Sequence, residues 1–401
     1  MASIASRLFG AERNDVVMLF LGGSHQLFHL APVAAAFSRI APDRTITCIT
    51  SDKHVAELIA QVRDRMGAAS LKIETIEFPA WGLGLARLFG RRKAAKLSLL
   101  LKLAARLWSV GAIVTPERTS AVLRSWHLTR ARLIHFRHGA GDRAPKSEER
   151  LKAFDLIVVP GEKDIERAVE RHRIDPDRLR TGGYVKLDYL RRQSGERIRL
   201  FANDRPTILY NPHFDRGTSS WGIAQTVVDR ILADGRYNLI LAPHIRVAEK
   251  MSAADVAHWH AQAEPDRMIA DFGSDRLIDM SYVHAADIYL GDMSSQLYEF
   301  LAEPRPVAFI NAHQADWRDD PRYAGWHLGE VAEEPDALIA AIDAAVAGHA
   351  SKIERQKAAT ERAFGRIEGA CERAAHILEE EIAWHPVTAA SRDHGMTPLQ
   401  A

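Results

Sequence analysis

The chain has 401 residues, 47% hydrophobic and 26% charged, the proportions of a folded chain long enough for two domains. Its 53 Lys+Arg stand against 52 Asp+Glu, a net charge of +1, so no global basic field argues for nucleic acid as a partner. Two cysteines, Cys48 and Cys371, form no CxxC and no Cys/His spacing; this excludes a disulfide scaffold and a structural zinc site and fits a reducing compartment.

Met1 to Gly10 lacks the apolar core of a signal peptide. Val16 to Leu21 is a continuous apolar run ended by Gly22-Gly23-Ser24-His25-Gln26, a turn that could hold an acceptor or a phosphate but is no P-loop. Leu27 to Arg39 then has helical spacing, Thr45 to Ile49 reads as a strand, His54 to Arg65 as a helix, and Leu71 to Phe78 as a strand. The most apolar stretch, Leu97 to Val114, carries Lys102 and Arg106 in its middle. Each would cost about 2.5–3.5 kcal/mol at the centre of a spanning helix, which argues against a membrane span. Ala86 to Val110 has no acidic residue and interleaves Arg87, Arg91, Arg92, Lys93 and Lys96 with leucines and Trp108. It reads either as a helix lying on an anionic bilayer or as a helix packed on a sheet with a solvated basic face. Leu133 to Phe136 and Asp155 to Val159 follow as strands.

After Tyr189 the chain turns polar, from Arg191 to Asp204, and strand–helix alternation then restarts. Thr207 to Tyr210, Asn238 to Leu241, Asp287 to Leu290 and Pro306 to Ile310 read as strands, with helices at Gln225 to Leu232 and Gln296 to Leu301. Pro335 to Ala347 and Ser351 to about Ile382 close the chain as helices. Short apolar strands separated by amphipathic helices predict two α/β domains facing a cleft, with ligands at the carboxyl ends of the strands.

Four constellations stand at such strand ends. In Arg137-His138-Gly139-Ala140-Gly141-Asp142-Arg143, two glycines admit a ligand beside an imidazole able to accept a hydroxyl proton, while Arg137 and Arg143 could neutralise phosphate. A tight turn with a structural histidine is the plain alternative. Pro243-His244-Ile245-Arg246 aims two cationic or hydrogen-bonding groups at one place, or is a capping histidine with a solvated arginine. Asn211-Pro212-His213-Phe214-Asp215-Arg216 has the same logic with a less specific signal. In Asp292-Met293-Ser294-Ser295, a serine N-cap would leave a positive helix end for a phosphate, with Glu299 one turn on, in reach of sugar hydroxyls; simple capping is the alternative. No HExxH or GxSxG appears, and the acidic side chains near the cleft motifs are isolated with no DxD triplet, so no metal site is expected, and His258 and His260 read as surface residues.

Together these motifs resemble the CDP-glycerol glycerophosphotransferase family of teichoic acid synthesis. The resemblance rests on His138-Gly139, on Gly183-Tyr184-Val185-Lys186-Leu187-Asp188, on Pro243-His244, and on Asp292-Met293-Ser294-Ser295 with Glu299-Phe300, and it covers roughly His135 to Ile310. It implies a GT-B fold: a Rossmann-like acceptor domain at 1–190, a linker at 191–205, a Rossmann-like nucleotide-donor domain with terminal helices at 206–385, and a tail at 386–401. It also implies transfer of a polyol phosphate from a CDP-linked donor to a hydroxyl of a lipid-linked or glycan acceptor; with no Asp/Glu pair at ligand spacing near the cleft, no cofactor and no metal is expected. His138 and His244 would then be catalytic, and Gly139, His213, Arg216, Arg246, Asp292, Ser294, Ser295 and Glu299 would hold the donor. Arg137 replaces the family's tryptophan, Pro243-His244 inverts its His-Pro, and Glu299 stands for its aspartate. A nucleotide-sugar glycosyltransferase, a non-hydrolysing UDP-sugar 2-epimerase and a silent nucleotide- or glycan-binding protein remain alternatives on the same fold. The expected place is the cytoplasm, with peripheral contact to the inner membrane face through the basic segment Arg87 to Arg106.

Overall fold

The computed structural model describes residues 14–82, 91–142, 148–193 and 198–384. Within them lie two parallel β-sheets. The first contains β1 (Asp15–Phe20), β2 (Thr45–Thr50), β3 (Lys72–Thr75), β4 (Ala112–Thr115), β5 (Arg132–Phe136), β6 (Leu156–Val159) and β7 (Leu179–Thr181), in the order β3-β2-β1-β4-β5-β6-β7. The second contains β8 (Thr207–Asn211), β9 (Asn238–Leu241), β10 (Met268–Ala270), β11 (Ile288–Gly291), β12 (Val307–Ile310) and β13 (Glu330–Ala332), in the order β10-β9-β8-β11-β12-β13. The central strands are buried along their length, as the unbroken apolar runs require of a parallel sheet covered by helices on both faces. In each sheet the order reverses beside the first strand, at β1/β4 and at β8/β11. Such switch points open a crevice at the strand ends, and this is where the candidate site residues gather.

The basic segment folds as a helix, Arg91–Ser109, whose leucines do not face outward. Leu99, Leu100, Leu103 and Leu107 are buried against Val17, Leu19, Ile113 and Leu133 of the first sheet. Full burial of each is worth about 1.5–3 kcal/mol, so this stripe is committed to the core and is not the face that would enter a bilayer. Lys102 donates to the Glu77 carbonyl at 2.7 Å and Arg106 pairs with Glu74, so these two basic groups are also engaged within the protein. Arg87 lies outside the described residues, as do Arg143, part of the linker and the tail.

The closing helical stretch is two helices, Ile353–Phe364 and Ala370–Trp384, separated at Gly365, whose φ of +57° an L side chain rarely adopts. The expectation grouped both with the second domain. Ala370–Trp384 instead packs on the Leu27–Ile40 and Val185–Arg191 helices of the first. Asp188 accepts from the N–H groups of Gly369 and Cys371 at 3.1 and 2.9 Å, capping this last helix, and Glu381 pairs with both Arg132 and Arg180. Chain order alone cannot reveal such a return.

Candidate functional site

Five imidazoles from the two units meet at the seam. His25 lies in the turn after β1, His29 opens the following helix, and His138 directly follows β5; His213 and His244 follow β8 and β9. The His25 ring centroid is 5.7 Å from that of His138 and 6.3 Å from that of His244. His29 lies 6.1 Å from His138, and His213 lies 5.5 Å from His244. The two histidines expected to be catalytic thus share a neighbour, His25. In the sequence His25 stands only within the general Gly22-to-Gln26 turn, and His29 within an ordinary helical run. A histidine one helical turn beyond a Gly-Gly-Ser-His turn was the available signal.

An exposed imidazole titrates near neutrality, but His25, His29, His138 and His244 do not. Burial is the largest cause for each. It holds His138 down to about 4, helped by Arg246, Arg137 and Arg118 and opposed by Glu117. His244 falls to about 3 through burial and then through His213 and Arg246. His25 and His29 are also held well below the usual range. These four imidazoles are therefore neutral at physiological pH, with lone pairs available for protons. The sole formal charge on the His244 turn is Arg246, whose guanidinium stacks over the Phe214 ring at 4.9 Å and makes no ion pair among the described residues.

Several expected ligand residues are engaged elsewhere. Glu299 is buried in an ion pair with Lys186, at 2.8 and 3.0 Å, and accepts from the Tyr184 hydroxyl at 2.6 Å. It fastens the second unit to the first, with both carboxylate oxygens taken by these partners. Asp292 takes the N–H groups of His213, Ser220 and Met293 and the Ser220 hydroxyl, so it shapes the His213 loop from beneath. Arg137, expected at phosphate, is paired with Glu148 and Asp164. Asp142 accepts from the Tyr298 hydroxyl at 2.8 Å and from the Gly325 N–H at 2.9 Å, and pairs with Lys163.

The serine turn has less helix behind it than its pattern suggests, because the helix is only Gln296–Phe300 and Ser295 makes no side-chain cap. Ser294 Oγ accepts from the Gln296 N–H at 3.3 Å. Gly139 takes a φ of +73°, and a Cβ there would stand 3.5 Å from Ser295 Oγ. The glycines of the His138 turn thus let it close directly on Ser295. Arg216 is exposed at the rim of a cavity of about 840 Å³ in the second unit, which His213, Phe214, Trp221 and Trp259 also line. Among the described residues no group of three or more His, Cys, Asp or Glu side chains is arranged to hold a metal ion, and no helix is long and apolar enough to cross a membrane.

No protein-family profile and no curated protein sequence matches the chain. Solved structures do share its fold. The wall teichoic acid polymerase TagF superposes with a TM-score of 0.57 at 14% identity, over 94% of this chain and 92% of that one. A UDP-N-acetylglucosamine 2-epimerase gives 0.58 at 12% identity, over 95% and 99%. MnaA of S. aureus, solved with UDP, gives 0.60 at 12% identity, over 92% and 96%. The chain has the GT-B fold that these proteins share.

Proposed function

We propose that the chain is a GT-B transferase that moves a glycerophosphate-type (polyol phosphate) group from a CDP-linked donor to a hydroxyl of a lipid-linked or glycan acceptor. The carrying observation is the meeting, across one seam, of uncharged His138 with His244 and Arg246. The first domain would present the acceptor, on the cytoplasmic side of the membrane, and the second would bind the nucleotide. His138 takes the acceptor proton as the hydroxyl oxygen attacks phosphorus; the O–H bond breaks, the new O–P bond forms, and the nucleotide leaves with the old bridging oxygen. His244 and Arg246 hold the diphosphate and offset the charge that grows on the leaving group. An anion in the site favours protonated imidazole, so donor binding raises both histidines from their depressed resting state.

Isothermal calorimetry with CDP, CMP, UDP and GDP tests this reading, and binding and turnover are expected to persist in EDTA. CDP should bind most tightly. Absence of binding to all four would leave a silent protein, and activity that vanishes in EDTA and returns with magnesium would refute metal independence. A nucleotide-sugar transferase would use the same geometry and would show preference for UDP or GDP. Epimerase chemistry needs acidic groups on both faces of a sugar carbon. The nearby carboxylates Asp142, Asp292 and Glu299 are committed to the contacts described above.

A further inference from the structure

We propose that Lys96, Glu117 and Gln26 form a buried positioning relay for His138, in which the Gln26 amide, oriented by Glu117, fixes which imidazole nitrogen carries the proton. Its catalytic meaning rests on His138 being the base proposed above. Glu117 lies just past β4 and is 8% exposed, and Gln26, in the turn after β1, is 2% exposed. The amide nitrogen of Gln26 is 2.6 Å from Glu117 Oε1. An ionised carboxylate only accepts, so the Gln26 NH₂ group must face it, and this fixes the orientation of the amide. The same nitrogen lies 3.4 Å from His138 Nε2. A second amide N–H aimed there requires a lone pair, which leaves the imidazole proton on Nδ1. Lys96, from the Arg91–Ser109 helix, closes the chain at 2.7 Å from Glu117 Oε2.

Gly22 shows how tightly the relay is enclosed. A Cβ there would fall 1.9 Å from Gln26 Oε1 and 2.1 Å from Glu117 Oε1, so any larger residue displaces both. A buried ion pair is weak grounds for stability, and its place beside an imidazole is the informative fact. The charged groups facing His138 are Arg246 from the second unit and Arg137, Arg118 and Glu117 from its own, while the His25, His29 and His244 rings around it are held neutral. Glu117 is the carboxylate set against three arginines. When the acceptor proton passes to Nε2, the 3.4 Å amide contact gives way as the longest link of the chain. Glu117 stays ionised and offsets the new imidazolium charge, as the aspartate of a catalytic triad does.

The test is histidine-selective ¹⁵N NMR of the whole protein, read beside steady-state kinetics. Wild-type His138 should show the Nδ1–H tautomer. Gln26→Leu, which keeps the Lys96–Glu117 pair, should turn it into a mixture. Glu117→Gln should move the His138 titration to lower pH and reduce kcat by about tenfold or more, with KM for the nucleotide unchanged. A tautomer and titration identical to wild type in both variants overturns the relay. A ring that responds while kcat does not supports the relay and removes His138 as the base. Loss of activity in His138→Ala, with a ring indifferent to both relay variants, keeps the base and discards the relay.

Discussion

The seam between the two units has two ends of opposite chemistry. At one end charged groups take partners across the boundary. Lys186 meets Glu299, Asp142 meets Tyr298 and Gly325, and Lys163 lies 3.6 Å over the Tyr298 ring. At the other end, imidazoles from both units face one another uncharged, with Arg246 beside them. The first arrangement satisfies itself and fastens the units. The second withholds charge by burial, and in the function proposed above an anionic donor would complete it. A carboxylate paired across the boundary marks the fastening end of this interface, and imidazoles held neutral mark the end proposed to do the chemistry.

The sharpest test of that division is His138→Ala, which should lower kcat by about 10²–10⁴ with nucleotide affinity nearly intact. If the variant keeps more than about a tenth of wild-type kcat, the base assignment is wrong. At the fastening end, Lys186→Met strands Glu299 in the interior and should cost about 3–5 kcal/mol, read from denaturant midpoints. A loss under about 1 kcal/mol would mean that water reaches Glu299 and the end is not sealed. His244→Ala belongs to the working end but on the donor side. It should weaken nucleotide binding about 10–100-fold, the worth of one hydrogen bond to a charged group, whereas His138→Ala should not. Equal effects of the two on affinity would erase the distinction between their roles.

The smallest effect concerns pH. The folded-state pKa of His29 lies well below the value near 6.5 expected when unfolded, so below pH 6.5 the unfolded chain takes a proton that the folded one refuses. Its stabilising contribution is present at neutral pH and is lost as pH falls. Wild type should lose up to about 1.4 kcal/mol per pH unit more than His29→Phe between pH 6.5 and 5, measured by urea unfolding. Parallel losses would show that this imidazole is hydrated rather than buried.

Much of the frame was legible because parallel strands buried on both faces must be apolar throughout. Val16 to Leu21, Thr207 to Tyr210 and Asn238 to Leu241 announce themselves in this way. The edge strands β7, β10 and β13 did not: three residues with one face near solvent, as in Leu179-Arg180-Thr181, carry too little periodicity. β4 was hidden at the end of the apolar stretch that also supplies the Arg91–Ser109 helix. The strand-end motifs named the turns from which His25, His138, His213 and His244 come together, since the carboxyl ends of parallel strands face one crevice.

Sequence by itself therefore determined the two α/β halves, the strand ends and the residues standing on them. The tertiary structure decided what those residues do, because partner choice is a matter of distances between segments far apart in the chain. Glu299 lies 113 residues from Lys186, and Gln26 lies 91 residues from Glu117. A carboxylate and an imidazole are each equally ready to bind a ligand, fasten two domains or orient a neighbour. Which of these occurs depends on the dielectric around the group and on the nearest opposite charge, and only the folded chain supplies both.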